Sequence, residues 1–495
     1  MSGVQGQERV SFYDTSDSEQ KRGLVLIFIS DITAFGLAKA VGEYLNSHRA
    51  IAAVNESLQD AAHSSSSNSS ALPHSTRRIR ARTARRWLKK MGFVYKDVKK
   101  DVYFDGHERE DVVKYRNEVF LKTFQEARRR FIIFKEDGSW ENPSGLRPGE
   151  KPLVLVTHDE STFNANDGKH RLWVKNGEQP LRPKGKGKGI MVSGFLTPGG
   201  ILSVPDNVPD AELLTNPTWP QDDKGKPYRE ALEYLEYGKD NYWTGEKMVE
   251  QTMRVAIPIF EHTFPNCEGL FAFDNASNHS AFAADALVAA KMNLMPGGKQ
   301  PLLRDGWDHN RNQPQAMVFS QDHPDISLRG KAKGIQQVLQ ERGLWRDRRA
   351  DGSKFRLACP KPGCDPALNG ECCATALLQS QRDFQEQRGS LQEKVEAAGH
   401  SVIFYPKFHC ELNFIERFWC AAKYYVRENC TYSIDGLRRT IPAAFKSIST
   451  ATINRYYEHC SRTIDAYING FQYGTKAFSD RVFQSHRRIE DKSKW

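Results

Sequence analysis

The stretch GLFAFDNASNH, residues 269–279, poses the first question. Leu270, Phe271, Ala272 and Phe273 make a strand-length apolar run that stops at Asp274. Asn275 follows directly, and His279 comes five residues after the aspartate. A short apolar run of this kind reads as a buried strand. A buried strand that ends on a bare carboxylate needs a reason. The aspartate either makes a turn or caps a helix, as aspartates after strands commonly do, or it serves a site beyond the strand end.

The same pattern recurs twice. KPLVLVTHDESTF (151–163) holds a short apolar strand, 153–156, that runs into His158, Asp159 and Glu160. SVIFYPKF (401–408) is another strand, and LNFIERFWCAAKYYVREN (412–429) is a helix. Leu412, Ile415, Trp419, Ala422 and Val426 form one apolar stripe on it, and Glu416 lies near its start. In a sheet with crossover helices, ligands gather beyond the strand ends, so these three acids can converge. Together they would repel and raise one another's pKa unless a divalent cation neutralised them. Oxygen-only ligands suit magnesium or manganese. Two such ions can activate a water and stabilise a leaving oxygen in phosphodiester cleavage. Local roles compete with this reading. Asn413 and Glu416 stand at capping-box spacing, and Glu411 is a rival third acid.

The rest of the chain bounds the answer. Its 495 residues suggest two to four structural units. With 39% hydrophobic and 27% charged residues it has a soluble, globular balance. A net charge of +10 points to an anionic partner, nucleic acid first. No run approaches the roughly 18 apolar residues of a membrane span, so no membrane is expected. Nine cysteines, an odd number with four clustered, do not form a secreted disulfide framework.

Residues 1–75 are poorly patterned and end in a serine-rich linker, HSSSSNSS (63–70). Residues 76–140 read as a helical DNA-binding segment. Its first part, 77–100, holds eleven Lys or Arg in 24 residues, with a helix at least over 83–91. A second helical pattern covers 109–131. Further strands are expected at 171–177 and across 189–204, where a Pro-Gly-Gly turn signals a hairpin. A helical stretch is expected around 246–264, and more helices over 431–495.

HDESTF (158–163), FDNASNH (273–279) and PKFHCELNFIERFW (406–419) together, in order, resemble the three catalytic blocks of mariner-type DDE transposases. The match is nearest to their fungal relatives, the DDE-superfamily endonucleases. The resemblance covers residues from about 83 to the C-terminus. It implies an α/β, ribonuclease-H-like catalytic domain, a mixed sheet flanked by helices, over 150–291 and 401–430. It implies Asp159, Asp274 and Glu416 as the catalytic, metal-binding triad, holding two Mg2+ or Mn2+ ions. Glu416, not Glu411, matches the catalytic position, and Asn275 and His279 match site-supporting positions. Two departures stand out. Phe414 occupies a position where the family commonly has proline. Between Asp274 and Glu416 lie 141 residues, where mariner-type enzymes have a few tens, so 292–400 reads as an insertion.

That insertion carries Cys359, Cys364, Cys372 and Cys373. These four could hold structural zinc, with His409 or Cys410 replacing one of them, or could be unliganded buried thiols. RPKGKGKG (182–189) lacks the Lys-Ser/Thr pair of a phosphate-binding P-loop. Its Lys184, Lys186 and Lys188 either contact a DNA backbone or belong to a solvated loop. RARTARRWLKK (80–90) resembles a helix-turn-helix recognition helix, with Arg82, Arg85, Arg86 and Lys89 facing DNA. Its bland readings are a solvated basic helix or a nuclear-localisation patch.

The expected function is therefore a transposase-like endonuclease acting on double-stranded DNA, both transposon ends and target. A nuclear location and a homodimeric assembly go with it. The rivals are a domesticated, catalytically silent DNA-binding protein and a metal-dependent nuclease of repair or RNA processing.

Overall fold

The computed structural model describes residues 104–135, 138–169, 181–237, 242–276, 281–349, 352–359, 364 and 372–483. The expected basic helix with Arg82, Arg85, Arg86 and Lys89, the expected strand at 171–177, and His279 all lie outside the described residues.

Six strands make the main sheet: β1 (Leu153–Asn164), β2 (Gly189–Thr197), β3 (Gly200–Ile201), β4 (Leu232–Glu236), β5 (Glu268–Phe273) and β6 (Ser401–Phe404). Their order is β6-β5-β1-β2-β3, with β4 also paired to β2. β2 runs antiparallel to β1, and β3 and β4 run antiparallel to β2. β5 lies parallel to β1, and β6 parallel to β5. An antiparallel meander followed by two parallel strands on the far side of the first is the ribonuclease-H-like arrangement. The Pro-Gly-Gly turn between β2 and β3 works because Gly200 sits at φ +135, where a side chain would be strained.

β1 is longer than its apolar run predicts. The sequence ends this strand at Asp159, but every residue from Thr157 to Asn164 pairs with β2. What stops before Asp159 is the parallel partner, since β1 pairs with β5 only from Leu153 to Thr157. Strand pairing, not hydrophobicity, carries the polar half of β1.

Helices cover both faces of the sheet. On one side, α1 (Glu110–Tyr115) and α2 (Leu121–Arg128), joined by a π-helical turn at Arg116–Phe120, precede the sheet. On the other, α3 (Gly245–Gln251) and α4 (Ile257–Thr263) are joined by a second π-helical turn, Thr252–Ala256. Longer helices that follow are α5 (Ile335–Glu341), α6 (Ala374–Gln379), α7 (Ser390–Ala397), α8 (Phe414–Glu428), α9 (Ile434–Lys446), α10 (Thr450–Ile468) and α11 (Lys476–Val482).

The period-two alternation of strands sorts the side chains into two cores. Leu153, Leu155, Leu270 and Ala272 pack with Phe120, Phe124 and the apolar stripe of α8. Val154, Val156, Phe271 and Phe273 pack with Ile259 and Phe260 of α4. The helical run 110–128 thus shares a core with the sheet and with α8. The insertion has a third core of its own, built around Ile335, Val338, Leu339, Leu377 and Leu378. A buried bidentate pair, Arg342 to Asp383 at 2.9 and 2.7 Å, braces it. Among the described residues, no helix is long and apolar enough to cross a membrane.

Candidate active site

The register of two strands brings the first two acids together. The last row of the parallel β1–β5 pairing sets Thr157 beside Ala272. Continued by two residues, that register sets Asp159 beside Asp274. Neighbouring strands lie about 4.8 Å apart. Both aspartates fall on the face already occupied by Leu155 and Leu270, the face that packs on α8. Glu160 belongs to the opposite face, where it accepts a 2.6 Å hydrogen bond from the indole of Trp243. His158 points the same way and bonds Ser193 at 2.8 Å. Of the consecutive polar residues His158, Asp159 and Glu160, only Asp159 therefore reaches the cavity.

Glu416 arrives from α8. Asn413 caps that helix, its side-chain oxygen accepting from the Ile415 N–H at 3.4 Å. The same oxygen accepts from the Thr157 hydroxyl at 2.6 Å, and the Asn413 amide donates to the His158 carbonyl at 3.4 Å. Tyr405 donates to Thr157 at 3.2 Å. These bonds clamp the start of α8 onto β1 next to Asp159. Asn413 does cap the helix, as the capping-box reading allows. The Glu416 carboxylate, however, does not close the box; it makes no hydrogen bond or ion pair among the described residues. It turns instead to a cavity of about 310 Å3 that Asp159 and Asp274 also line, together with Asn275, Tyr405 and Asn413.

The electrostatics follow from burial and like charge. Burial pushes the Asp159 carboxyl well above the usual range, and Glu416, Glu160 and Asp274 push the same way. Burial also raises Glu416; Lys423 opposes this and Asp274 adds to it. The three acids share a cavity without crowding into a single-ion cluster. Among the described residues, the groups whose ligand atoms all lie within 4.8 Å of one another are the four clustered cysteines and His107, His409 and Glu411. The acids are spread more widely, as mutually repelling charges are. The donor set is all oxygen, which fits Mg2+ or Mn2+, and the cavity has room for two ions with water.

Glu411, the rival acid, is engaged elsewhere. His409 Nδ1 donates to it at 2.7 Å, the Tyr467 hydroxyl donates at 2.9 Å, and His107 Nε2 lies at 3.3 Å. Arg116 approaches His409 Nε2 at 3.3 Å. An arginine can only donate, so Nε2 accepts and the hydrogen of a neutral His409 sits on Nδ1, facing Glu411. Burial acts to raise the pKa of Glu411, but the hydrogen bonds from His107 and His409 outweigh it and hold the carboxyl at about 2. Burial lowers the pKa of His409, consistent with a neutral ring.

Two features at this cavity carried no signal in the sequence. Phe408 lies on its wall, half exposed, at φ +64, a conformation rare for a bulky residue. Its ring sits so close to Gly106 that a Cβ there would come within 2.5 Å. Thr157, the residue after the apolar run 153–156, anchors Asn413. The basic-loop lysines Lys184, Lys186 and Lys188 are exposed in the segment that leads into β2, where the Lys186 and Lys188 carbonyls accept from the Asn166 and Ala165 N–H groups. Asp159 stands five residues before the end of β1, about 17 Å from it along the strand.

No protein-family model matches the chain, and no curated protein matches it. Among solved structures it is similar to the Mos1 transposase paired-end complex with left transposon end, at 9% identity and a TM-score of 0.38, over 79% of this chain and 70% of that one. It is also similar to the mariner Mos1 paired end complex with Mg, at 10% identity and a TM-score of 0.39, over 79% and 71%. The Mos1 mariner paired end complex with Mn gives 9%, 0.38, 79% and 71%. The fold itself is defined by the strand order and directions described above.

Proposed function

We propose that the chain is a DDE transposase-like endonuclease that cleaves DNA phosphodiesters. The carrying observation is that Asp159 and Asp274 continue one row of adjacent parallel strands while Glu416, from a helix clamped to that row, lines the same cavity. In this reading the three carboxylates hold two Mg2+ or Mn2+ ions. Bound there, such ions supply Lewis acidity that activates water and stabilises the leaving oxygen. The chain's own residues do the rest. Asn413 fixes Glu416 relative to Asp159, and Asn275 and His279 support the site. Lys184, Lys186 and Lys188 hold DNA phosphates, and Arg82, Arg85, Arg86 and Lys89 dock the duplex. Water oxygen adds to phosphorus and the bond to the 3′ oxygen breaks. One end keeps a 5′ phosphate and the other a 3′ hydroxyl, and in transposition that hydroxyl attacks target DNA. Transposon ends and target DNA are the partners, a homodimer the assembly, and the nucleus the location.

The test is nicking of duplex DNA by the full chain with Mg2+, with Mn2+ and with chelator. Nicking should need the metal. Asp159→Asn or Asp274→Asn should lower it by about three powers of ten, equivalent to about 4 kcal/mol of lost transition-state stabilisation. DNA binding should survive both changes. Nicking retained by a clean Asp274→Asn preparation would sink the assignment. Binding with no nicking by wild type under any metal would favour the catalytically silent DNA-binding protein.

A further inference from the structure

The insertion between β5 and β6 contains a second candidate metal site, chemically unlike the first. Cys359, Cys364, Cys372 and Cys373 bring their sulfurs within 4.8 Å of one another. Cys364 Sγ and Cys373 Sγ are 3.7 Å apart. A zinc–thiolate bond of about 2.3 Å places the sulfurs of a regular tetrahedron about 3.8 Å apart. A disulfide needs about 2.05 Å, and all nine cysteines are free.

The surroundings suit thiolates. The Arg349 guanidinium lies 3.6 Å from Cys359 Sγ, and the Ala376 N–H donates to Cys373 Sγ at 3.5 Å. Donors of this kind offset the negative charge of metal-bound sulfur and orient it. Cys372 and Cys373 are buried while Cys364 is exposed, so the group is anchored on one side and open to an ion on the other. The substitutes that the sequence allowed are used elsewhere: His409 bonds Glu411, and Cys410 lines the acid cavity.

The insertion also has a use for a clip. Its core is separate from the two that flank the sheet, and its regular elements are short. Among the described residues, the backbone beside the cysteines is joined by bonds such as Ala374 N–H to the Arg356 carbonyl and Thr375 N–H to the Leu357 carbonyl, both at 2.9 Å. A metal joining residues 359 and 364 to the start of α6 would supply folding energy that so small a core lacks.

We propose that Cys359, Cys364, Cys372 and Cys373 bind one structural Zn2+ that closes the insertion, independently of the acid cavity. The experiment uses the full chain, purified without chelator. Elemental analysis should find about one zinc per chain in wild type and in Asp274→Asn, and loss of it in Cys364→Ser. Should Cys364→Ser fail to fold, wild type still decides: Co2+ exchanged into it should give intense thiolate-to-cobalt absorption. Chelator-treated protein should be cut by protease within 352–373 well before the sheet is. The proposal fails if the purified chain holds no zinc, if it holds iron instead, if cobalt shows no thiolate band, or if Cys364 and Cys373 are found as a disulfide.

Discussion

Glu411 and Glu416 are five residues apart and meet opposite fates. Glu411 is wrapped by His107, His409 and Tyr467, and its charge is matched by donors of the protein itself. Glu416 lines a cavity with Asp274 and Asp159, and burial raises its pKa, with Lys423 opposing and Asp274 adding to the rise. The first arrangement is complete within the chain. The second sets three carboxylates against one lysine of the cavity wall, Lys407, an excess of negative charge that a cation would offset. The difference separates a buried acid whose charge the fold itself satisfies from acids that, in the proposed reading, serve a reaction.

The sharpest way to break this comparison is to remove each glutamate in turn. Glu411→Ala leaves two histidines and a tyrosine hydroxyl without their shared acceptor. It should destabilise the chain by about 3–5 kcal/mol, read as a lower midpoint in denaturant. Glu416→Ala removes one of three repelling carboxylates and should change stability by less than about 1 kcal/mol, while nicking is lost. The acid limb of the stability curve should separate them too. A glutamate held down at about 2 stabilises the fold above its unfolded value, and that contribution is lost as pH falls toward 2. Glu411→Ala should flatten this limb and Glu416→Ala should not. Equal destabilisation by the two changes would erase the distinction.

Much of the acid side was legible in the sequence. Apolar runs mark β1 and β5, and alternation explains why Asp159 and Asp274 share a face once the strands are parallel. The stripe of α8 is visible as Ile415, Trp419, Ala422 and Val426, with Leu412 from the turn just before it, all of them buried. What hydropathy could not reveal is where β1 ends, because His158 to Asn164 are carried by hydrogen bonds to β2. The Glu411 network was equally hidden. His107 lies 304 residues before Glu411, and no local pattern announces a partner so distant. The choice of Glu416 over Glu411 rests on family resemblance; in the structure Glu411 is engaged by His107, His409 and Tyr467.

A second prediction sharpens the comparison through metal and pH. Asp159 and Glu416 have folded-state pKa values above their unfolded ones. Their contribution to stability is therefore fully present below the unfolded value and is lost as pH rises through the folded one. In chelator, this part of the stability should decline as pH is raised above the ordinary carboxylate range. Mg2+ binds the ionised forms, so its stabilising effect should grow over the same interval. At about a hundredfold excess over its dissociation constant it should be worth about 3 kcal/mol. Melting curves with Mg2+ and with chelator should diverge with rising pH in wild type and stay together in Asp159→Asn. A metal effect that is the same at every pH would mean the ions bind elsewhere.

Asn413 gives the smallest effect and the finest test, because it joins a structural role to a positioning role. It caps α8, accepts from Thr157 and donates to the His158 carbonyl. Asn413→Ala loses all three and should cost about 1–2 kcal/mol. With the cap gone, the first turn of α8 is no longer tied to β1, and Glu416 drifts from Asp159. Nicking should then fall mainly in kcat, with KM for DNA little changed, because phosphate contacts are untouched. Asn413→Asp distinguishes the two roles. An aspartate still caps the helix and still accepts from Thr157, so stability should largely return. It cannot donate to His158, and it adds a fourth negative charge to the cavity wall. The added charge should push the neighbouring carboxyls further up, moving the acid limb of the nicking profile to higher pH and raising the Mg2+ concentration needed. If Asn413→Ala is less stable but nicks at the wild-type rate per folded molecule, Asn413 is a helix cap and nothing more. If Asn413→Asp leaves the pH profile where it was, Asn413 does not act on the acids it adjoins.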